Sequence, residues 1–100
     1  AFYVLKRLAE YGITTKVVDP AADKKEAKHE FGIELVDMEE VREADCLIFL
    51  VAHKQFKDLQ MAEIDALYNQ QSSSKKVIID VKSIFEANTF KDNDYIYWNL

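Results

Sequence analysis

Two short apolar runs, "DCLIFL" at 45–50 and "KVIIDVK" at 76–82, constrain the fold of this chain more than any other feature. Their apolar residues are continuous rather than alternating, which is typical of strands that are buried on both faces. Segments with helical patterns lie before, between and after the two runs. Strands that alternate with helices form a mostly parallel sheet with helices on both faces, so the sequence predicts an α/β domain.

Amphipathic and capping patterns locate the other elements. The segment 2–12 carries one apolar face and predicts a helix that Gly12 ends. β-branched residues at 13–18 predict a strand. Asp23 and Glu26 have the spacing of a capping box and predict the start of a second helix. The remaining predicted elements are an extended piece at 33–36, a short helix at 37–44, a helix within 54–71, a short helix or loop at 83–94 and a final strand at 95–100.

Length and composition suit one small globular domain that covers residues 1–100. The chain is 49% hydrophobic and contains only one Pro and two Gly, which argues against disorder and against a loop-rich β protein. Its net charge of −5 disfavours a nucleic-acid partner, because phosphate binding usually needs a basic face.

Cysteine usage and hydropathy bear on the compartment. Cys46 is the only cysteine, so no disulfide framework is possible, and the sequence favours the reducing cytoplasm. The longest apolar stretch is too short to span a bilayer, so no membrane partner is predicted. The chain begins inside a helical pattern without Met, and we therefore expect it to be a fragment of a longer protein.

Ligands of open parallel sheets bind at the carboxyl ends of the strands, so the loops that follow strands are the places to examine. These loops are 19–20, 52–54 and 80–83. Asp19 stands where an acidic residue of a dinucleotide-binding fold holds a ribose, yet no G-x-G-x-x-G precedes it. A strand-to-helix turn shaped by Asp19 and Pro20 is the favoured interpretation.

The stretch "VAHKQF" at 51–56 follows the first apolar strand. His53 has no acidic or cysteine partner at triad or metal-ligand spacing, so neither a Ser/His/Asp triad nor a metal site is predicted. Lys54 stands at the start of a helical segment, where an ammonium group and exposed amides favour an anion. Spacing alone leaves two interpretations open, a phosphate contact and the polar end of a strand.

Three further positions have a structural and a functional interpretation. Lys82 either forms a salt bridge with Asp80 or presents a cation to a ligand, and the spacing favours the salt bridge because alternate strand residues share a side. Cys46 lies within a strand and is predicted to be a small buried hydrophobe rather than a nucleophile. The aromatic residues at 95–98 are assigned to packing or to an interface at the sheet edge rather than to base stacking.

Four segments carry a resemblance in their order and spacing: "YGITTKVVDPAADKKEAKHEFGIELV", "ADCLIFLVAHKQFKDL", "KKVIIDVKSIF" and "YIYWNL". Together they resemble the C-terminal domain of the UDP-glucose/GDP-mannose dehydrogenase family. The resemblance covers essentially the whole chain and is greatest to the bacterial and archaeal branch that oxidises UDP-N-acetylated hexosamines for surface polysaccharides.

This resemblance implies an NAD-dependent oxidoreductase that converts the sugar C6 alcohol of a nucleotide sugar to a carboxylate, through an aldehyde and a thioester on a catalytic cysteine. It implies a Rossmann domain that holds NAD, a central helical domain that builds a dimer, and a three-layer Rossmann-like C-terminal domain that closes over the UDP part of the substrate. This chain would be that last domain. We expect it to lack the first strand of the sheet, the catalytic residues and activity of its own, since Cys46 does not match the catalytic cysteine.

The same resemblance implies which residues contact the substrate: Ala52, His53, Lys54 and Phe56 on one loop, and Lys82 on the next. The chain departs from the family at Ser83, where many members carry Gly, and in the absence of the F-K-x-x-x-x-D-x-R segment that precedes the first helix. Two other classes stay open, a stand-alone nucleotide-binding module without catalysis and a protein-interaction domain, because fold alone does not choose among them.

Overall fold

A computed structural model describes residues 2–100, and these fall into two compact units. The N-terminal unit ends at Val41, and the sheet unit comprises Arg42–Leu100. None of the helices described within residues 2–100 has the length and apolar character that crossing a bilayer requires.

The N-terminal unit contains helices α1 (Phe2–Glu10) and α2 (Lys24–Phe31), followed by a single 3₁₀ turn at Met38–Glu40. Gly12 follows α1 with φ +74°, a left-handed conformation that glycine adopts without steric cost, so the predicted end of this helix is confirmed.

Side-chain caps start and connect the elements of this unit as the sequence predicts. The Asp23 carboxylate accepts a hydrogen bond from the Glu26 amide at 3.0 Å and begins α2. Asp19 accepts from the Ala21 amide at 3.0 Å, which confirms that Asp19 shapes a turn.

The strand predicted at 13–18 forms only one isolated parallel bridge, between Val17 and Leu35. The Val36 amide donates to the Val17 carbonyl at 2.9 Å, while Ile13 remains half exposed. The β-branched run therefore lacks the burial and the packed neighbours on which β propensity depends, and extended pairing stops after one contact.

The sheet unit contains three parallel strands, β1 (Cys46–Phe49), β2 (Val77–Asp80) and β3 (Ile96–Asn99), in the order β1-β2-β3. Helices α3 (Lys54–Lys57) and α4 (Met61–Asp65) lie between β1 and β2 in the chain, and α5 (Ala87–Asp92) lies between β2 and β3. Parallel strands in one open sheet with intervening helices confirm the predicted α/β, Rossmann-like fold class.

The helix predicted within 54–71 divides into α3 and α4. The Asp58 amide still donates to the Lys54 carbonyl at 3.0 Å, but a new helical start follows, in which Glu63 accepts from the Gln60 amide at 2.8 Å. The break allows the short helices to bury one large side chain each, Phe56 and Ile64.

An aromatic cluster forms much of the core of the sheet unit. Ring centroids lie 5.0 Å apart for Phe49 and Phe85, and 5.3 Å apart both for Phe85 and Phe90 and for Phe90 and Tyr95. These edge-on pairs are the arrangement that aromatic quadrupoles favour. The buried hydrophobic residues of the unit are Phe49, Phe56, Ile64, Leu67, Tyr68, Ile78, Phe90 and Tyr95.

The two faces of the sheet differ in burial. Ile78 and Asp80 are fully buried on one face of β2, with Phe49 beside Asp80 on β1. On the other face, Ile48 and Trp98 flank Ile79 in register and are 38% and 65% exposed. The prediction that these strands are buried on both faces therefore holds for the face that carries Asp80 and is wrong for the face that carries Ile48 and Trp98.

Candidate functional site

The carboxyl ends of β1 and β2 lie side by side. Phe49, the last residue of β1, pairs with Asp80, the last residue of β2, and the Val81 amide donates to the Phe49 carbonyl at 3.0 Å. The β1 loop (residues 50–53) and the β2 turn (residues 81–83) therefore leave the sheet at the same edge, which is where parallel sheets bind ligands.

The Asp80 carboxylate accepts hydrogen bonds that hold the backbone directly after the β2 turn. Its Oδ1 accepts from the Ile84 amide at 3.0 Å, and its Oδ2 accepts from the Phe85 amide at 3.0 Å and from the Tyr97 hydroxyl at 2.6 Å. The Asp80 carboxylate is fully buried, and three donors satisfy it. A buried charge is tolerated when it is hydrogen-bonded in this way.

These contacts show that the salt bridge predicted between Asp80 and Lys82 is wrong. The strand ends at Asp80 and a turn follows, so the alternation of a strand does not extend to Lys82. The Lys82 side chain is exposed, whereas the Asp80 carboxylate is buried on other donors. Lys82 is therefore an exposed cation at the sheet edge, and its contact with a ligand stays a prediction.

Ser83 adopts a left-handed backbone conformation with φ +51°. This region is costly for most side chains and free for glycine, which is consistent with the glycine that the family resemblance implies at this position. The Ser83 hydroxyl donates to the Leu100 carbonyl at 3.2 Å and accepts from the Asn99 side-chain amide at 3.1 Å. The serine is therefore held by the end of β3.

His53 occupies the N-cap position of α3, where its carbonyl accepts from the Phe56 amide at 3.0 Å and from the Lys57 amide at 3.2 Å. Its ring lies edge-on to Phe56, with centroids 5.4 Å apart. Phe56 is only 5% exposed and packs edge-on against Phe49 at 5.3 Å. Phe56 therefore fixes the β1 loop to the core, and the His53 ring packs against Phe56.

Lys54 is exposed, and its ammonium lies 2.7 Å from the Asp58 carboxylate one helical turn away. The hydrogen bond to Asp58, followed by its Coulombic attraction, raises the pKa of Lys54 above its ordinary value, so the group is charged at neutral pH. Helix α3 has only four residues, so the amide dipole contributes less at this position than the sequence pattern suggests.

The five predicted site residues fall into two groups on neighbouring segments. Ala52 and Lys54 are exposed, His53 is half-buried and Phe56 is buried, all on the β1 loop and α3. Lys82 is exposed on the adjacent β2 turn. Shared position at one sheet edge is a structural fact, whereas substrate contact by each residue stays a prediction.

Cys46 differs from its prediction. It is the first residue of β1 and its side chain is exposed, so the expectation of a buried hydrophobe is wrong. Partial desolvation of the sulfur, and secondarily the Asp45 charge, nevertheless raise the pKa of the thiol. The protonated thiol is a poor nucleophile, and the absence of a catalytic role for Cys46 stays a prediction.

Tyr95 and Tyr97 of the aromatic tail pack within the sheet unit, as the sequence predicts, whereas Trp98 is 65% exposed. Tyr95 is buried and its hydroxyl donates to Asp65, while Tyr97 stacks on Phe90 with centroids 5.4 Å apart. Burial, followed by the Asp80 hydrogen bond, raises the pKa of Tyr97 above its ordinary value. Sequence reasoning missed the Tyr97–Asp80 contact, although Tyr95 and Tyr97 at alternate positions of a strand indicate that both face one side.

A shallow cavity of about 170 Å³ lies between the start of α4 and the segment that leads into α5. Its walls are formed by Leu59, Gln60, Met61, Ile64, Phe85, Glu86, Thr89 and Phe90. None of the five predicted site residues lines it. Within residues 2–100, no group of three His, Cys, Asp or Glu side chains is arranged to hold a metal ion.

Residues 1–87 match the sequence profile of the UDP-glucose/GDP-mannose dehydrogenase family, UDP binding domain. The chain belongs to this family. The matched region includes both the β1 loop and the β2 turn, whereas β3 lies beyond it.

Individual relatives agree with this assignment. Protein CapL of Staphylococcus aureus is 30% identical over 98 residues, which are 98% of this chain and 22% of the relative. UDP-N-acetyl-D-mannosamine dehydrogenase of Methanococcus maripaludis is 32% identical over 88% of this chain and 19% of its own length. UDP-N-acetyl-D-glucosamine 6-dehydrogenase of Pseudomonas aeruginosa is 31% identical over 85% of this chain and 19% of its own length.

The chain therefore spans about a fifth of the length of these relatives. No solved structure shows a significant match to this chain.

Proposed function

We propose that this chain is the UDP-sugar-binding domain of an NAD-dependent nucleotide-sugar 6-dehydrogenase. Family membership supports the UDP part of this proposal, and two of the relatives described above carry names of UDP-N-acetylhexosamine dehydrogenases. The observation that carries the proposal is the register of Phe49 with Asp80, because it brings the β1 loop and the β2 turn to one edge.

The chemistry of a diphosphate fits what this edge offers. A diphosphate is recognised by cations and oriented N–H donors. Lys54 and Lys82 are exposed cations on the two adjacent segments, and both are chemically suited to a phosphate oxygen. In this proposal Lys54 breaks its exposed salt bridge with Asp58 and binds the phosphate instead. Breaking this salt bridge costs little free energy, because exposed ion pairs are weak.

The other predicted residues shape the site around these cations. Ala52 is small and exposed, so the backbone of the β1 loop is open to approach by a ligand. His53 borders the loop on the ring of Phe56, and buried Phe56 holds the loop to the sheet. Because Phe56 is buried, we propose that it supports the β1 loop from the core, while the exposed residues of that loop contact the UDP moiety.

NAD does not fit this chain. Its two glycines, Gly12 and Gly32, both follow helices with positive φ, and neither belongs to a glycine-rich turn between a strand and a helix. In our proposal NAD is bound by another part of a longer polypeptide, which also supplies the catalytic groups and forms a homo-oligomer. The role of this chain is to bind and orient the UDP moiety.

The wider assignment is also part of the proposal. Oxidation of the sugar C6 alcohol to a carboxylate would supply a charged sugar for surface polysaccharides, and the reaction would take place in the cytoplasm. The names of the Methanococcus and Pseudomonas relatives support an N-acetylated hexosamine as the sugar.

Calorimetric titration with UDP tests the site in the protein expressed from its complete gene. Lys82→Ala and Lys54→Ala are each expected to weaken UDP binding about tenfold, since each removes a charge-assisted contact to phosphate. Lys57→Ala, an exposed lysine of α3, and Lys91→Ala, in α5, are the matched controls and should bind UDP like the wild type. Unchanged affinity in both Lys82→Ala and Lys54→Ala would refute the residue assignment.

Reduction of NAD, followed by absorbance with UDP-N-acetylhexosamines as substrates, separates the enzyme from a non-catalytic nucleotide-binding module. Formation of two NADH per sugar oxidised supports the dehydrogenase, because conversion of an alcohol to a carboxylate removes four electrons. UDP binding without any NADH formation would instead support the module.

A further inference from the structure

Asp80 is the one charged residue found buried among residues 2–100. A buried carboxylate is costly unless it is fully hydrogen-bonded, and a surface turn can be closed by cheaper neutral groups. Its position in the fold therefore calls for a structural reason. Asp80 lies two residues before Lys82, and its two carboxylate oxygens accept hydrogen bonds from the amides of Ile84 and Phe85, which follow Lys82 in the chain.

Tyr97 fixes the direction of this clamp. Its hydroxyl lies 2.6 Å from Oδ2, the same oxygen that accepts from Phe85. A carboxylate held at Oδ2 by two donors has one orientation in which Oδ1 also meets the Ile84 amide. Tyr97 is itself held in place by stacking on Phe90, with an interplanar angle of 13°.

A second contact joins β3 to the β2 turn. Asn99 donates to the Ser83 hydroxyl at 3.1 Å, directly after Lys82, and Ser83 donates onward to the Leu100 carbonyl. Ser83 keeps a left-handed φ of +51° that a serine does not favour without support. Asp80, two residues before Lys82, and Ser83, directly after it, are thus both hydrogen-bonded by side chains of β3.

We propose that Tyr97 and Asn99 on β3 are positioning residues for Lys82, and that β3 thereby sets the affinity of the sheet edge for the diphosphate of UDP. This inference rests on the proposed function. Tyr97 acts through the Asp80 carboxylate and Asn99 through the Ser83 hydroxyl, and neither needs to touch the ligand. β3 lies outside the region matched by the family profile, so the positioning role of Tyr97 and Asn99 is inferred from their hydrogen bonds to Asp80 and Ser83.

A double-mutant cycle separates positioning from a general loss of stability. Tyr97→Phe removes only the hydroxyl and is expected to weaken UDP binding about threefold to tenfold. In Lys82→Ala the same change should have no further effect, because the lysine that it positions is gone. The matched control is Tyr68→Phe, which also removes a hydroxyl bonded at 2.6 Å, to the Val77 carbonyl, away from the β2 turn.

Titrations are performed on the protein expressed from its complete gene, at protein concentrations corrected for the folded fraction. Wild-type UDP affinity in Tyr97→Phe would overturn the inference and leave the proposed function standing. Additive losses in Tyr97→Phe and Lys82→Ala would also overturn it, since they indicate independent effects. If Tyr97→Phe does not fold, exposed Asn99→Ala is combined with Lys82→Ala, with the same non-additivity expected and additive losses again contradicting the inference.

Amide hydrogen exchange without ligand keeps the two proposals distinguishable. Faster exchange at Ile84 and Phe85 in Tyr97→Phe, but not in Tyr68→Phe, supports the hold of Tyr97 on the turn, and failure of the wild type to bind UDP would then overturn the proposed function separately. Unchanged exchange at both amides overturns the positioning role.

Discussion

Replacement of Asp80 by alanine is expected to destabilise the sheet unit strongly. The substitution leaves three donors without an acceptor: the amides of Ile84 and Phe85 and the hydroxyl of Tyr97. Each unsatisfied buried donor costs about 1–3 kcal/mol, and water that enters the vacated space satisfies part of this demand. We therefore expect a loss of about 3–5 kcal/mol in the free energy of unfolding, a large share of the roughly 5–15 kcal/mol typical of a domain.

Urea denaturation followed by far-ultraviolet circular dichroism measures this loss. Asp80→Asn provides a graded comparison, because its side-chain carbonyl can still accept while its amide group opposes a donor, and it should fall between wild type and Asp80→Ala. Asp58→Ala is the surface control and should leave the denaturation midpoint unchanged, since Asp58 is an exposed partner of Lys54. A loss below about 1 kcal/mol for Asp80→Ala would refute the view that this carboxylate holds the turn.

Three further outcomes follow from particular contacts. Tyr68→Phe should lower the free energy of unfolding by about 1 kcal/mol in urea denaturation, because it removes the hydrogen bond to the Val77 carbonyl. Gly32→Ala should cost about 1 kcal/mol in the same assay, since φ is +66° at this position although the space around it is open. Burial raises the pKa of Tyr68, Tyr95 and Tyr97 in the folded protein. Their contribution to stability is therefore complete below about pH 10 and is lost as the pH rises further. We expect the midpoint temperature of thermal unfolding, measured at a series of pH values, to fall above about pH 10.

Strands β1 and β2 were predictable from the sequence because each corresponds to a continuous run of apolar residues. The runs around Ile48 and Ile78 are continuously apolar, and each becomes a strand of the parallel sheet. The segment 13–18 has similar β propensity but no comparable apolar continuity, and only Val17 finds a partner. Propensity alone therefore overestimated the extent of the sheet.

The location of the candidate site was predictable from topology, whereas its internal contacts were not. Parallel strands end at a common edge, so the proximity of the segments that carry Lys54 and Lys82 follows from fold class. The partners of Asp80 lie four, five and seventeen residues away, and the last is brought near only by pairing of β2 with β3. Sequence spacing suggested Lys82 instead, because it assumed that the strand continued past Asp80.

Chemical-shift mapping shows where UDP binds on the sheet unit. The measurement follows backbone amides of the isotope-labelled chain, assigned and titrated with UDP, with uridine as the comparison ligand that lacks the diphosphate. We expect the largest shifts at 50–56 and 81–85, the two segments at the carboxyl edge of the sheet, and smaller shifts at 81–85 with uridine. Shifts centred on other segments, such as α2, with these two unaffected would rule out a UDP site at this edge.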